Sequence, residues 1–142
     1  MLAVRINNLS YSMNEKKILN NINLQLEKEK IACILGPSGC GKTTLLKLIA
    51  GLSKVQEGEI FLNENLVSSS NIHLKTEKRK IGFLFQDYAL FPHQTVKQNL
   101  QFAIKDKSTS HRVEEIMDVI KLSDSLEKYP HELSGGEQQR VA

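Results

Sequence analysis

The chain has 142 residues, of which 40% are hydrophobic and 25% charged, the composition of an ordinary globular domain and not of a disordered tail. That length fits one domain, or one piece of a larger one, and is too short for a multidomain enzyme. The formal net charge is +3, and Glu27, Lys28, Glu29 and Lys30 alternate in sign where a nucleic-acid binder would concentrate one sign, so charge nominates no nucleic-acid partner.

The first ten residues hold no apolar run of signal-peptide length, and the longest apolar stretch, Ile31 to Leu35, is far short of the ~20 residues that span a bilayer. Cys33 and Cys40 do not make a disulfide framework, so a reducing, cytosolic location is expected, with any membrane contact made through a partner.

Leu2, Val4 and Ile6 alternate with polar or small residues, as do Ile22, Leu24 and Leu26; both segments read as half-buried strands of an antiparallel sheet. Ile31 to Leu35 is apolar throughout and ends at Gly36-Pro37, which predicts a strand buried on both faces. Leu45, Leu48, Ile49 and Leu52 then fall at helical spacing, with Gly51 as the stop. Gly58 to Asn63 reads as a strand, residues 63–80 as a polar surface loop, and Ile81 to Phe85 as a second buried-type strand. After Gln86 the pattern turns helical: Val96, Leu100, Ala103 and Ile104 share one face, and Val113, Ile116, Met117 and Ile120 another. Strands before Gln86 and helices after it predict two subdomains, 1–86 and 87–142, and an α/β class.

Between the apolar run and the first helix, Gly36-Pro37-Ser38-Gly39-Cys40-Gly41-Lys42-Thr43 matches G-x-x-x-x-G-K-[ST] in the context that the motif requires. Nucleotide phosphates carry several negative charges and need many donors at close range. Glycines at 36, 39 and 41 leave room for the backbone to wrap a phosphate and point N–H groups at it. The helix start adds unpaired N–H groups and a positive dipole end, Lys42 a mobile charge for the β- and γ-phosphates, and the Thr43 hydroxyl a ligand for Mg²⁺. By itself this loop does not separate ATPases, GTPases and kinases.

Leu133 to Arg140 (LSGGEQQR) places a serine and two glycines at a helix start. Alone, the stretch is equally well a solvent-exposed turn and helix cap. Downstream of a phosphate loop and of an apolar run ending in Gln86, it resembles the signature of the nucleotide-binding subunit of ABC (ATP-binding cassette) transporters, and the resemblance covers the whole chain. It implies a P-loop NTPase core with an antiparallel β subdomain and an α-helical subdomain, and ATP and Mg²⁺ as cofactors. Gly36 to Thr44 then corresponds to the Walker A loop. Tyr11 stands where the family places an aromatic against adenine, although position alone also allows an edge-strand tyrosine. Gln86 corresponds to the glutamine that reaches Mg²⁺ or the attacking water, although an amide there could merely end a strand. Ser134, Gly135, Gly136 and Glu137 correspond to residues that contact the γ-phosphate of ATP held by a second ATP-binding subunit in a head-to-tail dimer.

Gln86 to Val96 (QDYALFPHQTV) further resembles importer ATPases for iron(III), polyamine, sulfate or sugar uptake in bacteria. The resemblance implies transmembrane permease subunits as partners near Ala89-Leu90-Phe91-Pro92, a peripheral place on the cytoplasmic face of the inner membrane, and a substrate chosen by other subunits. Ordinary packing of the helical subdomain would account for the same four residues. His93 and His131 lack metal-ligand spacing and read as structural or surface residues. Cys40 reads as a space-filler in the loop. Two positions depart from the family: Glu29 replaces a usual glycine, which predicts another turn geometry, and Glu137 replaces a frequent glutamine.

The family's four apolar residues followed by Asp-Glu, and its later histidine, do not occur within residues 1–142, which makes the chain an incomplete ATP-binding domain by resemblance. A non-hydrolysing nucleotide-binding protein and a non-transport ABC ATPase are the alternative readings. In the family's sheet the run Ile31 to Leu35 lies between strands that these residues do not supply. A polypeptide of residues 1–142 alone is therefore expected to be aggregation-prone and to show no ATP turnover above background. Reversible two-state unfolding with stability above ~5 kcal/mol, or turnover abolished by Lys42→Ala, would contradict these two expectations.

Overall fold

The computed structural model describes residues 1–103 and 111–142, which form two compact units, Met1–Gly82 and Phe83–Ala142. The first is built on a four-stranded antiparallel sheet in the order β2-β1-β3-β4, from β1 (Leu2–Met13), β2 (Lys16–Glu27), β3 (Glu57–Leu62) and β4 (Asn65–Ser68). One helix, α1 (Lys42–Ala50), contributes Leu45 and Leu48 to the core made with Ile6, Leu9, Leu19, Val55, Ile60, Leu62 and Val67.

Two hairpins order this sheet, and each turns on two residues. Asn14-Glu15 joins β1 to β2 with φ of 47° and 63°, and Asn63-Glu64 joins β3 to β4 with φ of 47° and 65°. Positive φ at both central residues is the type I′ geometry, whose twist matches that of the flanking strands, and asparagine tolerates it better than most residues. Between these turns β1 bulges at Asn8 (φ 49°), where Gly58 passes so close that a Cβ would lie 2.6 Å from the carbonyl oxygens of Asn7 and Asn8. Glycine is the residue that fits a bulge at that approach.

The five strands expected from residues 1–63 and 81–85 fare differently. β1, β2 and β3 form as expected. Ile31 to Leu35 is not a strand: it is extended and unpaired, with Ile31 100% and Leu35 86% exposed, and Cys33 exposed as well. Ile81 to Phe85 is likewise unpaired, and Ile81, Leu84 and Phe85 are exposed. A strand buried on both faces needs a hydrogen-bonded neighbour on each side, and none of the described segments supplies one. Residues 63–80, expected as a surface loop, instead contain β4, a short 3₁₀ turn (Thr76–Lys78) and three buried residues, Val67, Ser68 and Arg79. The turn at Glu29 keeps a glycine-like conformation (φ 61°) in spite of its side chain, contrary to the expected change of geometry.

Helix α1 ends where Gly51 predicts. Gly51 takes φ 80°, its N–H donates to the Leu48 carbonyl (3.2 Å), and the Leu52 N–H donates to that of Lys47 (2.9 Å), the paired bonds of a Schellman motif. The chain leaves the helical path there, so Leu52, expected on the core face, is exposed.

The second unit comprises α2 (Val96–Ala103), α3 (His111–Val119) and α4 (Gly135–Val141), with 3₁₀ turns at Ser123–Ser125 and Pro130–Glu132. Val96, Val113, Met117, Leu122, Leu133 and Val141 form its core, with Leu90, Leu100, Ile120 and Leu126 packed against it. Thr95 opens α2 through a capping box with Gln98: the Thr95 N–H donates to Gln98 Oε1 (2.9 Å), and the Gln98 N–H to Thr95 Oγ1 (3.3 Å). Of the two helical faces expected here, Ile116 is exposed and Ile104 lies outside the described residues.

His73 bridges to Ser68 of β4, with its Nδ1 buried and without a partner. Burial, and then the charges of Arg79 and Lys54, hold its pKa below the usual 6.5. The fold therefore favours neutral imidazole. Its stability contribution is complete above pH 6.5 and is lost as pH falls from 6.5 toward the lower folded value. Unfolding of wild type and His73→Phe, compared between pH 7.5 and 5.5, should show a steeper acid-side loss in wild type; parallel curves would contradict the assignment.

Candidate functional site

The glycine-rich segment Gly36 to Gly41 runs from the unpaired extended chain into the first turn of α1. Gly39 (φ 80°) and Gly41 (φ 98°) both sit in the left-handed region. Only Gly41 is pressed from behind: a Cβ there would meet Leu19 Cδ2 at 2.9 Å, Ile18 Cγ2 at 3.1 Å and the Ile18 carbonyl oxygen at 3.2 Å. The loop therefore leans on β2 through Ile18 and Leu19, and glycine at 41 lets it approach so closely. Leu19 pairs across the sheet with Tyr11, so the two side chains share one face. Tyr11 is half-buried against the core that Leu19 and Leu45 help to form.

Lys42, the first residue of α1, folds back over the loop. Its Nζ donates to the carbonyl oxygens of Gly36 and Pro37, both at 2.8 Å, and lies 3.6 Å from Cys40 Sγ. Gly41 caps α1 without a side-chain bond, and its carbonyl accepts the first intrahelical bond from the Leu45 N–H (2.9 Å). The N–H groups of Lys42, Thr43 and Thr44 precede that bond and have no acceptor within the helix. No acidic residue stands in the first turn to offset the positive end of the dipole. Pro37, Ser38, Cys40 and Thr43 are exposed, and Thr44 is half-buried.

This donor set fits a phosphate group: free backbone N–H groups, one ammonium and a helix N-terminus, all next to a loop with room above Gly39, where a Cβ would meet nothing within 4 Å. For a divalent cation the loop offers the Thr43 hydroxyl. Among the described residues no cluster of three acidic, histidine or cysteine side chains stands ready to hold a metal, so an ion here would draw its remaining ligands from phosphate oxygens and water.

The other sequence-marked residues lie in the second unit. Gln86 is exposed in a turn that continues through Tyr88 (φ 62°) and Ala89 (φ 51°). In the following segment Leu90 packs on the helical core, and Phe91 meets Phe102 edge-on at 4.9 Å, with Phe102 itself 71% exposed. Asn99, which the sequence did not single out, clamps this segment: its Oδ1 accepts from the Phe91 N–H (2.8 Å), while its Nδ2 donates to the carbonyls of Phe91, Gln94 and Thr95.

Ser134 is the N-cap of α4. Its hydroxyl donates to Glu137 Oε2 (2.6 Å) and accepts from the Glu137 N–H (3.3 Å), and the same carboxylate accepts from the Ser134 N–H (2.8 Å). The hydrogen bond from the Ser134 side chain, then that from its backbone, lowers the Glu137 pKa. Gly135 and Gly136 are exposed, with open space where a Cβ would stand. Gln138 Nε2 donates to the carbonyls of Pro130 (2.9 Å) and Leu133 (3.2 Å), which ties α4 to the preceding 3₁₀ turn. His131 stacks on Tyr129, and His93 meets the edge of Phe91, as surface residues do.

The profile of the ABC transporter family matches residues 19–142. An iron(III) ion import ATP-binding protein of Haemophilus influenzae is 39% identical over 142 residues, which cover 96% of this chain and 40% of that protein. A spermidine/putrescine import ATP-binding protein of Thermotoga maritima is 42% identical, over 98% of this chain and 38% of its own length. A sulfate/thiosulfate import ATP-binding protein of Synechocystis is 41% identical, over 99% and 40%. The chain thus spans about two fifths of the length of these curated relatives. Among solved structures, a dimeric ATP-binding cassette in a post-hydrolysis state, bound to ADP and phosphate, superposes with a TM-score of 0.79 at 33% identity, covering 97% of this chain and 66% of that one.

Gly41→Ala places a Cβ against β2 at a left-handed φ, which should destabilise the loop by about 1–3 kcal/mol. The expected signature in hydrogen exchange is faster exchange at residues 39–44 with β3 and β4 unchanged; unaltered exchange throughout would contradict the packing argument.

Proposed function

The chain belongs to the ABC transporter family, and on that premise we propose that it is the nucleotide-gripping part of an ATP-binding subunit that couples ATP binding and hydrolysis to import across a membrane. The observation that carries the reading is the Lys42 ammonium held over a glycine loop at the uncapped start of α1.

In this reading Gly36 to Thr44 hold the phosphates. The N–H groups of Gly39 and of Gly41 to Thr44 supply a wall of neutral donors, and Lys42 exchanges its two carbonyl acceptors for β- and γ-phosphate oxygens. That exchange keeps the ammonium hydrogen-bonded in both states, so its reorganisation is small. Tyr11 offers an aromatic face for adenine from the sheet against which the loop leans. The Thr43 hydroxyl and the Gln86 amide oxygen are hard oxygen ligands suited to Mg²⁺. A bound Mg²⁺ would supply positive charge to offset the negative charge that grows on the phosphate oxygens during transfer.

Ser134 to Glu137 face the nucleotide of a second ATP-binding subunit, which makes the working unit a dimer. Permease subunits bind the segment around Phe91, and this holds the protein at the cytoplasmic face of the membrane; none of the described helices is long and apolar enough to cross one. Relatives that import iron(III), spermidine/putrescine and sulfate/thiosulfate support the importer reading. A polypeptide of residues 1–142 alone would bind nucleotide without turning it over, because these residues hold no apolar run followed by Asp-Glu to serve the in-line attack.

Equilibrium binding of Mg-ATP to the intact protein tests the proposal. Lys42→Ala removes a charge-assisted contact worth about 1.5–3 kcal/mol, so affinity should fall roughly 10- to 150-fold. Equal affinity in wild type and variant, or no binding by wild type, would overturn it.

A further inference from the structure

Arg79 is a charged residue that the nucleotide reading leaves unused, yet it is only 4% exposed. Its guanidinium has five N–H donors and makes five hydrogen bonds: Nε to the Leu74 carbonyl (2.8 Å), Nη1 to those of Leu48 (3.1 Å) and Ile49 (2.8 Å), Nη2 to that of Val67 (3.3 Å) and to Ser68 Oγ (2.6 Å). No carboxylate is among these partners. The buried charge is met by backbone dipoles, two of them the last-turn carbonyls of α1, at the negative end of that helix. Burial pushes the Arg79 pKa below its ordinary value, although an arginine stays charged at any physiological pH. The fit leaves no slack, since a Cβ on Gly51 would lie 2.3 Å from Arg79 Nε.

We propose that Arg79 is a positioning residue for the nucleotide site: by pinning the C-terminal end of α1 to β4, it sets where the opposite end of that helix presents Lys42, Thr43 and the phosphate loop. The proposal rests on the nucleotide reading above. Helix α1 has nine residues and is about 13 Å long, short and stiff enough that a shift at Ile49 is carried to Lys42 almost undiminished. At its N-terminal end Gly41 is already within van der Waals contact of Leu19, and the donors of an anion site must be held to within about 0.5 Å. A helix whose N-terminus is uncapped, so that its N–H groups stay free for a ligand, has packing but no capping hydrogen bond to fix that end. Its hydrogen-bonded anchor is at the other end, where Arg79 joins two α1 carbonyls to those of Leu74 and Val67 and to the Ser68 hydroxyl. Lysine, with three donors and a flexible stem, cannot reach that set.

The test measures ADP affinity and hydrogen exchange in the intact protein for wild type, Lys42→Ala, Arg79→Lys, Arg79→Met and Leu62→Ala, the last a comparably buried core truncation on β3. Each variant is assayed at a temperature where circular dichroism shows it fully folded. Wild type and Lys42→Ala test the nucleotide reading by themselves: no ADP binding by wild type sinks that reading and the inference with it. Given binding by wild type, Arg79→Met should weaken ADP at least about tenfold and speed exchange at residues 39–44, with Arg79→Lys intermediate and Leu62→Ala within about twofold of wild type. Affinity within about twofold of wild type in folded Arg79→Met, or a loss that Leu62→Ala reproduces, overturns the inference. Should both Arg79 variants fail to fold, Ser68→Ala decides: it removes the one side-chain acceptor, and weaker ADP binding together with faster exchange at 39–44 supports the inference, while changes confined to β4 refute it.

Discussion

A backbone that is to hold an anion must keep several N–H groups away from carbonyl partners, and the start of α1 meets that requirement. The N–H groups of Lys42, Thr43 and Thr44 are left without helical acceptors, and Gly41 gives the helix no side-chain cap. Such an end is less stable than one with a side-chain cap, though with glycine at the cap only by about a few tenths of a kcal/mol. The packing offsets this from two directions. Leu45 and Leu48 bury one face of α1 in the sheet core, and Gly41 brings the loop into contact with Ile18 and Leu19. The sheet thus both receives the helix and backs the loop, and for that reason its two-residue turns and its bulge at Asn8 bear on the site as well as on the fold.

The last turn of α1 solves the complementary problem. Its carbonyls are the negative end of the helix, and they are satisfied from two sides: Lys47 and Leu48 accept from the N–H groups of Leu52 and Gly51, and Leu48 and Ile49 from the Arg79 guanidinium. An unpaired arginine in a core is costly when its donors are idle, but here every donor has an oxygen. Gly51 serves both arrangements. Its left-handed φ ends the helix, and its missing side chain leaves space for the guanidinium.

What the sequence made legible was the local chemistry. The loop motif, the start of α1 at Lys42, its stop at Gly51 and the alternating strands β1 and β2 all follow from residue type and spacing within a short window. Long-range partners were not legible. Ile31 to Leu35 and Ile81 to Phe85 carry the pattern of buried strands, but a strand is defined by its neighbours, and in this structure both runs lie unpaired. β4 escaped notice because its turn is Asn63-Glu64 and not Asn-Gly, and because a four-residue strand amid serines shows little alternation. Arg79 was hidden for a similar reason: in a run of Lys78, Arg79 and Lys80 it looks like one more solvated charge, and only the fold shows that it points inward. Asn99 likewise gains its role from the carbonyls that the segment around Phe91 brings to it.

The two glycine-bearing helix starts differ in a way that residue pattern alone does not convey. α1 begins at a glycine, with no side-chain cap and no acid in its first turn. α4 begins at Ser134, whose hydroxyl and N–H are already engaged by the Glu137 carboxylate, the hydrogen bonds that depress the pKa of that acid. An anion approaching α1 meets free donors; one approaching α4 meets a carboxylate and a hydroxyl that must first turn away. The first helix start is open at the expense of its own stability, and is supported from its far end. The second is closed by its own residues, so any anion contact there has to displace a charge that the chain itself provides. An anion would therefore gain less at α4 than at α1, because part of its attraction goes into breaking the capping box.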